Sequence, residues 1–160
     1  MSPYPIDPDV DLAEDAPHHP GFQREAGVRS RWPRIAPTVV GLVFVGGALG
    51  GWARYSVTTA WAERAGAFPW STFAVNTLGA FALAIIVVAA ARGPRALRPL
   101  AGTGFCGGLT TFSSLVVATD RLAAHGHLAL AAGYVGASAA AGVSAAWLGL
   151  HVAVRALAPR

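Results

Sequence analysis

Four stretches of the chain, residues 35–53, 65–91, 99–119 and 122–154, contain no Asp, Glu, Lys or Arg. Within each, apolar residues run continuously, with Ala, Gly and Leu prominent. A helix needs ~20 such residues, at ~1.5 Å rise each, to cross a bilayer. Barrel strands would instead alternate apolar and polar positions at period two. The pattern therefore predicts an all-α membrane protein with four transmembrane helices. These run roughly from Ile35 to Ala53, from Pro69-Trp70 to just before Arg92, from about Pro99 to Asp120-Arg121, and from about Leu128 to Val154. The fourth stretch opens on the polar turn His125-Gly126-His127 and is too short for two spans and a loop, so it counts once. Trp32, Tyr55, Trp61 and Trp70 fall at expected span ends, where amphipathic rings settle at the membrane surface.

Residues 1–34 break this pattern. They hold six of the eight acidic residues and, with Pro33, six of the eleven prolines, and they lack an apolar run long enough for a signal-peptide core. The expected organisation is a disordered N-terminal tail over 1–34 followed by one membrane domain over 35–155. Loops between the spans are too short to fold separately.

Composition agrees with the pattern: 54% hydrophobic residues, 12% charged and a mean hydropathy of +0.48 exclude an ordinary soluble domain. Every basic residue is Arg or His, and the net charge of +4 resides in loops and tails, so no nucleic-acid partner is implied. Arg24, Arg29, Arg31, Arg34, Arg92, Arg95, Arg98, Arg155 and Arg160 fall on one side of a four-span topology. Arg64 and Arg121 fall on the other, with Arg54 a third if it is counted. By the positive-inside rule both termini should be cytoplasmic in a multi-pass cell-membrane protein. Cys106, the single cysteine, lies within a span and forms no intrachain disulfide.

Polar residues inside apolar spans are where chemistry is expected, because each is costly there without a partner or a function. The segment from Gly102 to Ser114 is centred on the third span and holds four glycines and five hydroxyl residues. Such a composition weakens a helix at a depth where water cannot satisfy freed backbone groups. Interrupted membrane helices of this kind bind ions through carbonyls and helix ends. The competing explanation is close helix packing through Gly104-x-x-x-Gly108, which leaves Thr110, Thr111, Phe112, Ser113 and Ser114 unexplained. Asn76 offers amide donors in the second span, or else an interhelical hydrogen bond. Phe112 has a positive ring edge that can face an anion. Tyr134 and Ser138 lie four apart on one face of the fourth span, with Gly142 completing the row. Hydroxyls there can also bond back to their own helix. Arg54, at the mouth of the first span, suits an anion vestibule or an interfacial anchor. His125 and His127 lack acidic or Cys neighbours and read as solvated loop residues rather than metal ligands.

The run Gly104-Phe105-Cys106-Gly107-Gly108-Leu109-Thr110-Thr111-Phe112-Ser113 resembles the signature of the Fluc/CrcB fluoride channel family. Gly46-Gly47-Ala48-Leu49-Gly50-Gly51-Trp52-Ala53-Arg54-Tyr55 resembles its first-helix pattern, and Thr72-Phe73-Ala74-Val75-Asn76-Thr77-Leu78-Gly79-Ala80-Phe81 its second. The three occur in order, one per span, across roughly residues 35–154. The resemblance implies an antiparallel dimer of four-helix subunits whose third helix is broken at the midplane. It implies two narrow fluoride pathways involving Asn76, Thr111, Phe112, Ser113, Ser114, Tyr134 and Ser138, with Arg54 in the vestibule. It also implies a structural, untransported Na+ held by backbone carbonyls of Gly107 and Thr110. Carbonyls suit a hard cation without placing a full negative charge in the membrane. The expected activity is passive fluoride export that lowers cytoplasmic fluoride and its toxicity.

The sequence departs from that pattern after Ser114, where Leu115 stands in place of a second Phe and Val116 in place of a further hydroxyl. Leu115 has no ring edge to offer an anion. Together with the arginine bias, this favours pairing with a paralogous subunit of opposite orientation, or a non-conducting partner role. A small proton-coupled antiporter needs a carboxylate in the membrane, and no Asp or Glu lies in any span. An enzyme needs a nucleophile and base that the spans do not bring together.

Overall fold

A computed structural model describes residues 36–61, 63–64 and 66–157. The proposed tail over 1–34 lies outside the described residues, as does Trp32. Among the described residues the fold is wholly helical. It contains α1 (Pro37–Ala60), α2 (Trp70–Ala90), a π-helical segment (Arg98–Cys106), α3 (Gly107–Leu109), α4 (Phe112–Ala124) and α5 (Leu128–Ala156).

Three elements are long and apolar enough to cross a membrane: α2, the composite element Arg98–Ala124, and α5. They make this a multi-pass membrane protein. The first helix has 24 residues, ample in length. Its apolar character is diluted by Gly46, Gly47, Gly50, Gly51 and Arg54. It also continues to Ala60, past the expected end at Ala53, so Arg54 and Tyr55 lie inside the helix rather than at its mouth. Trp61 and Trp70 do flank the α1–α2 connection, and both are exposed. Both α1 and the π-helical segment admit proline in their first turn, where the missing N–H is not needed.

Glycine sets the distance between α1 and the third element. A Cβ on Gly46 would meet the Leu100 carbonyl oxygen at 2.0 Å, and one on Gly50 the Phe105 carbonyl oxygen at 2.1 Å. From the other side, a Cβ on Gly104 would meet the Gly46 Cα at 2.9 Å, and one on Gly108 the Gly47 carbonyl oxygen at 2.4 Å. Backbone therefore lies on backbone, the contact that small residues permit between membrane helices, where burial from water supplies no driving force. Helices α2 and α5 pack together in the same manner at Gly149, whose absent Cβ leaves room for the Phe81 carbonyl. A small cluster of Leu122, Ala131 and Tyr134, with Phe68, Phe73 and Leu115 against it, joins α4 and α5 to the start of α2.

Candidate functional site

The third element is broken, but not at its glycines. Gly107 keeps helical angles of φ −64° and ψ −35°. The extended residues are Thr110 (φ −81°, ψ 153°) and Thr111 (φ −150°, ψ 122°), at the centre of Arg98–Ala124. Gly104 and Gly108 thus serve the close contact with α1, and the hydroxyl residues after them form the interruption. Close packing and a helix interruption both occur, on adjacent stretches of the segment.

A break between two helices frees carbonyls on one side and N–H groups on the other. Asn76 of α2 takes up one of each. Its Nδ2 donates to the Thr111 carbonyl at 3.0 Å, and its Oδ1 accepts the Thr111 N–H at 2.8 Å. A primary amide is suited to this double contact because it carries donor and acceptor side by side, and one Nδ2 hydrogen is left over. The Thr111 hydroxyl then caps α4 by accepting the Ser114 N–H at 3.2 Å. It also lies 3.1 Å from the hydroxyls of both Ser113 and Ser114. Thr110 folds back instead, its hydroxyl donating to the Cys106 carbonyl at 2.8 Å. Its methyl fills the space over Gly79 of α2, where a Cβ would meet it at 2.3 Å. Among the described residues, no backbone N–H crosses the break to the carbonyls of Gly107, Gly108 or Leu109.

Tyr134 and Ser138 share a face of α5, and both hydroxyls are buried with no hydrogen-bond partner. Tyr134 is 0% exposed, with its ring edge-on to Phe68 at 5.2 Å. Thr72 and Ser138 lie beside the Tyr134 hydroxyl, yet no bond of acceptable geometry joins them. Leaving a buried hydroxyl unpaired costs about 1–3 kcal/mol. Phe112, by contrast, is 79% exposed.

A cavity of about 620 Å³ reaches Thr72 and Leu122, but Tyr134, Ser138, Asn76, Thr111 and Phe112 are not among its lining residues. Ser113 and Ser114 line it from α4, Ser71 and Thr72 from the first turn of α2, and Thr58 from α1; Glu63, Arg64, Arg121 and His125 surround its outer part. Glu63 accepts the Ser71 N–H, which ties the α1–α2 connection to the start of α2. Arg54 is half-buried and is not among the lining residues. The cavity's cations are Arg64 and Arg121, which the sequence presents only as loop charges. Ser71 and Thr72 were equally hard to single out, since hydroxyls in a first helical turn ordinarily cap it. His125 is exposed, and its Nδ1 donates to the Arg121 carbonyl at 2.7 Å. No group of three or more His, Cys, Asp or Glu able to hold a metal occurs among the described residues.

Residues 41–150 match the family model described as CrcB-like protein, Camphor Resistance (CrcB). The chain belongs to the CrcB family. Curated relatives agree over most of its length. It is 45% identical over 130 residues to the fluoride-specific ion channel FluC 3 of Streptomyces avermitilis, covering 79% of this chain and 64% of that one. It is 39% identical over 140 residues to FluC 1 of Streptomyces coelicolor, covering 86% and 90%. FluC 1 of Thermobifida fusca is 46% identical over 110 residues, covering 68% and 90%. Family members of these names are channels rather than enzymes. Streptomyces avermitilis carries at least two of them, FluC 2 and FluC 3.

Proposed function

We propose that this chain is a subunit of a fluoride-selective channel that lets fluoride leave the cell passively and so lowers its cytoplasmic concentration and toxicity. The observation that carries the reading is the pair of buried, unpartnered hydroxyls on Tyr134 and Ser138, in the subunit whose Ser113 and Ser114 line the polar cavity. A small anion is stripped of water at low cost only where several donors replace that water, and here two buried hydroxyls have no hydrogen-bond partner of their own. The spare Nδ2 hydrogen of Asn76 adds a donor at the break. Arg64 and Arg121 would raise the local anion concentration at the mouth.

In this reading α1 crosses the membrane with the other three elements, both termini are cytoplasmic, and the Thr110–Thr111 break sits near the bilayer midplane. The functional unit is an antiparallel dimer, in which the exposed Phe112 would meet the second subunit and offer its ring edge to the ion. A structural Na+ fits the break in its donor chemistry, since carbonyls at the end of a helical segment are hard neutral oxygens. Gly107 and Thr110 are the residues whose carbonyls would hold it. Such an ion would supply positive potential beside the anion route and hold two subunits together. Exchange of Na+ for N-methylglucamine should lower the dimer's melting temperature; an unchanged melting curve would remove the ion from the account.

The arginine distribution favours a paralogous partner over a second copy. One sequence inserts in both orientations only when its loop charges nearly balance. Here the named arginines stand nine to two, or three with Arg54. Leu115 packs into the cluster around Tyr134 instead of presenting an aromatic edge. Accessibility of a C-terminal tag in cells making only this chain tests the point. Tags on one side, with weak fluoride efflux until a paralogue is added, are expected. Equal labelling on both sides, with full efflux, would establish a homodimer instead.

A further inference from the structure

An apolar groove of about 710 Å³ runs along the outside of the subunit between α1 and the start of the π-helical segment. Its walls are Val39, Val40, Val43 and Phe44 on one side and Pro99 and Thr103 on the other. Arg95 and Arg98 close one end of it. Phe44 is 75% exposed and Val40 56%, so this surface is not part of the subunit's own core. Mostly apolar clefts of this volume are of the usual size for a bound small molecule.

The charges decide what kind. The two carboxylates among the described residues are Glu63, in the α1–α2 connection, and Asp120, near the end of α4, and both belong to the opposite end of the bundle. Arg92, the neighbouring arginine, donates to the Leu157 carbonyl at the end of α5. Arg95 and Arg98 thus form a cationic end to an apolar groove, at a helix terminus where basic residues meet lipid headgroups. From this geometry we infer that the groove is a binding site for an anionic phospholipid, with its phosphate at Arg95 and Arg98 and an acyl chain along Val40, Val43 and Phe44. The site stands apart from the polar cavity and does not depend on which ion the channel passes.

The test uses the full chain, purified from bilayers containing equal amounts of phosphatidylglycerol and phosphatidylcholine, with retained lipid counted by native mass spectrometry. Retention of phosphatidylglycerol should exceed that of phosphatidylcholine about 30-fold, the scale expected of two surface arginines. The double variant Arg95→Gln, Arg98→Gln should abolish the preference, while Arg92→Gln keeps it. Val40→Trp leaves every charge in place but fills the groove, and should reduce retention of both lipids. Equal retention of the two lipids by the unmodified protein would overturn the proposal. So would an equal loss of preference in Arg92→Gln, which would indicate diffuse surface charge. Lipid retention unchanged in Val40→Trp, with the dimer lost, would make the groove a subunit interface and overturn it too.

Discussion

The third element presents two faces that differ in kind. Toward α1 it is bare backbone: Gly104 lies against Gly46 and Gly47, Gly108 against Gly47, and Gly50 against the backbone of Phe105 and Leu109, with no room for a methyl group. Toward α2 and along α4 it is side-chain chemistry, with Asn76 clamped to Thr111 and the Thr111 hydroxyl 3.1 Å from those of both Ser113 and Ser114. The glycine face holds the element at a fixed distance from α1. The polar face breaks the helix and provides donors. Proximity in sequence hides this division, because the last tight glycine contact and the first extended residue are only two positions apart.

Substitutions that separate the faces should have effects of very different size. Gly50→Val places a methyl-bearing carbon on backbone atoms that cannot yield, and should cost ~3 kcal/mol or more, enough to lose folded protein in detergent. Gly51→Val, where nothing lies within 4 Å, should stay within about 0.5 kcal/mol by thermal unfolding. If the two variants behaved alike, the close contact would not be what holds α1 in place.

On the polar face the effects should fall on transport. Asn76→Asp can still accept the Thr111 N–H but no longer donates to its carbonyl, and its charge repels anions. Fluoride flux should drop on the order of 100-fold with the protein still folded. Unchanged flux would remove Asn76 from the route and leave it a clamp alone. Tyr134→Phe deletes a hydroxyl that has no partner, so the melting temperature should hold or rise while flux falls about tenfold. A loss of stability without loss of flux would mean the hydroxyl is structural. Thr111→Ala removes the α4 cap at a cost of about 1 kcal/mol, recovered in Thr111→Ser.

Much of this was legible in the sequence. Charge-free stretches gave the helices to within a few residues at most ends, since the bilayer leaves few alternatives to a helix. The exception is α1, which runs on through Arg54 because Ser56, Thr58 and Thr59 bond back to their own helix and need no outside partner. Composition located the interrupted segment but not the break itself: glycine signals both flexibility and close approach, and only the Gly46 and Gly50 contacts show which applies. Pairing Asn76 with Thr111 spans 35 positions, a separation that no local pattern encodes. The cationic rim of the cavity was also out of reach, because Arg64 of the α1–α2 connection and Arg121 in the last turn of α4 line one cavity only once the chain is folded.

The most direct test is ion release from liposomes holding this chain together with a paralogue of opposite arginine bias, with equal pH on both sides and fluoride and chloride electrodes reading the same sample. The account expects rapid fluoride release with chloride retained. Chloride release at a comparable rate, or fluoride release that appears only when a proton gradient is imposed, would contradict it.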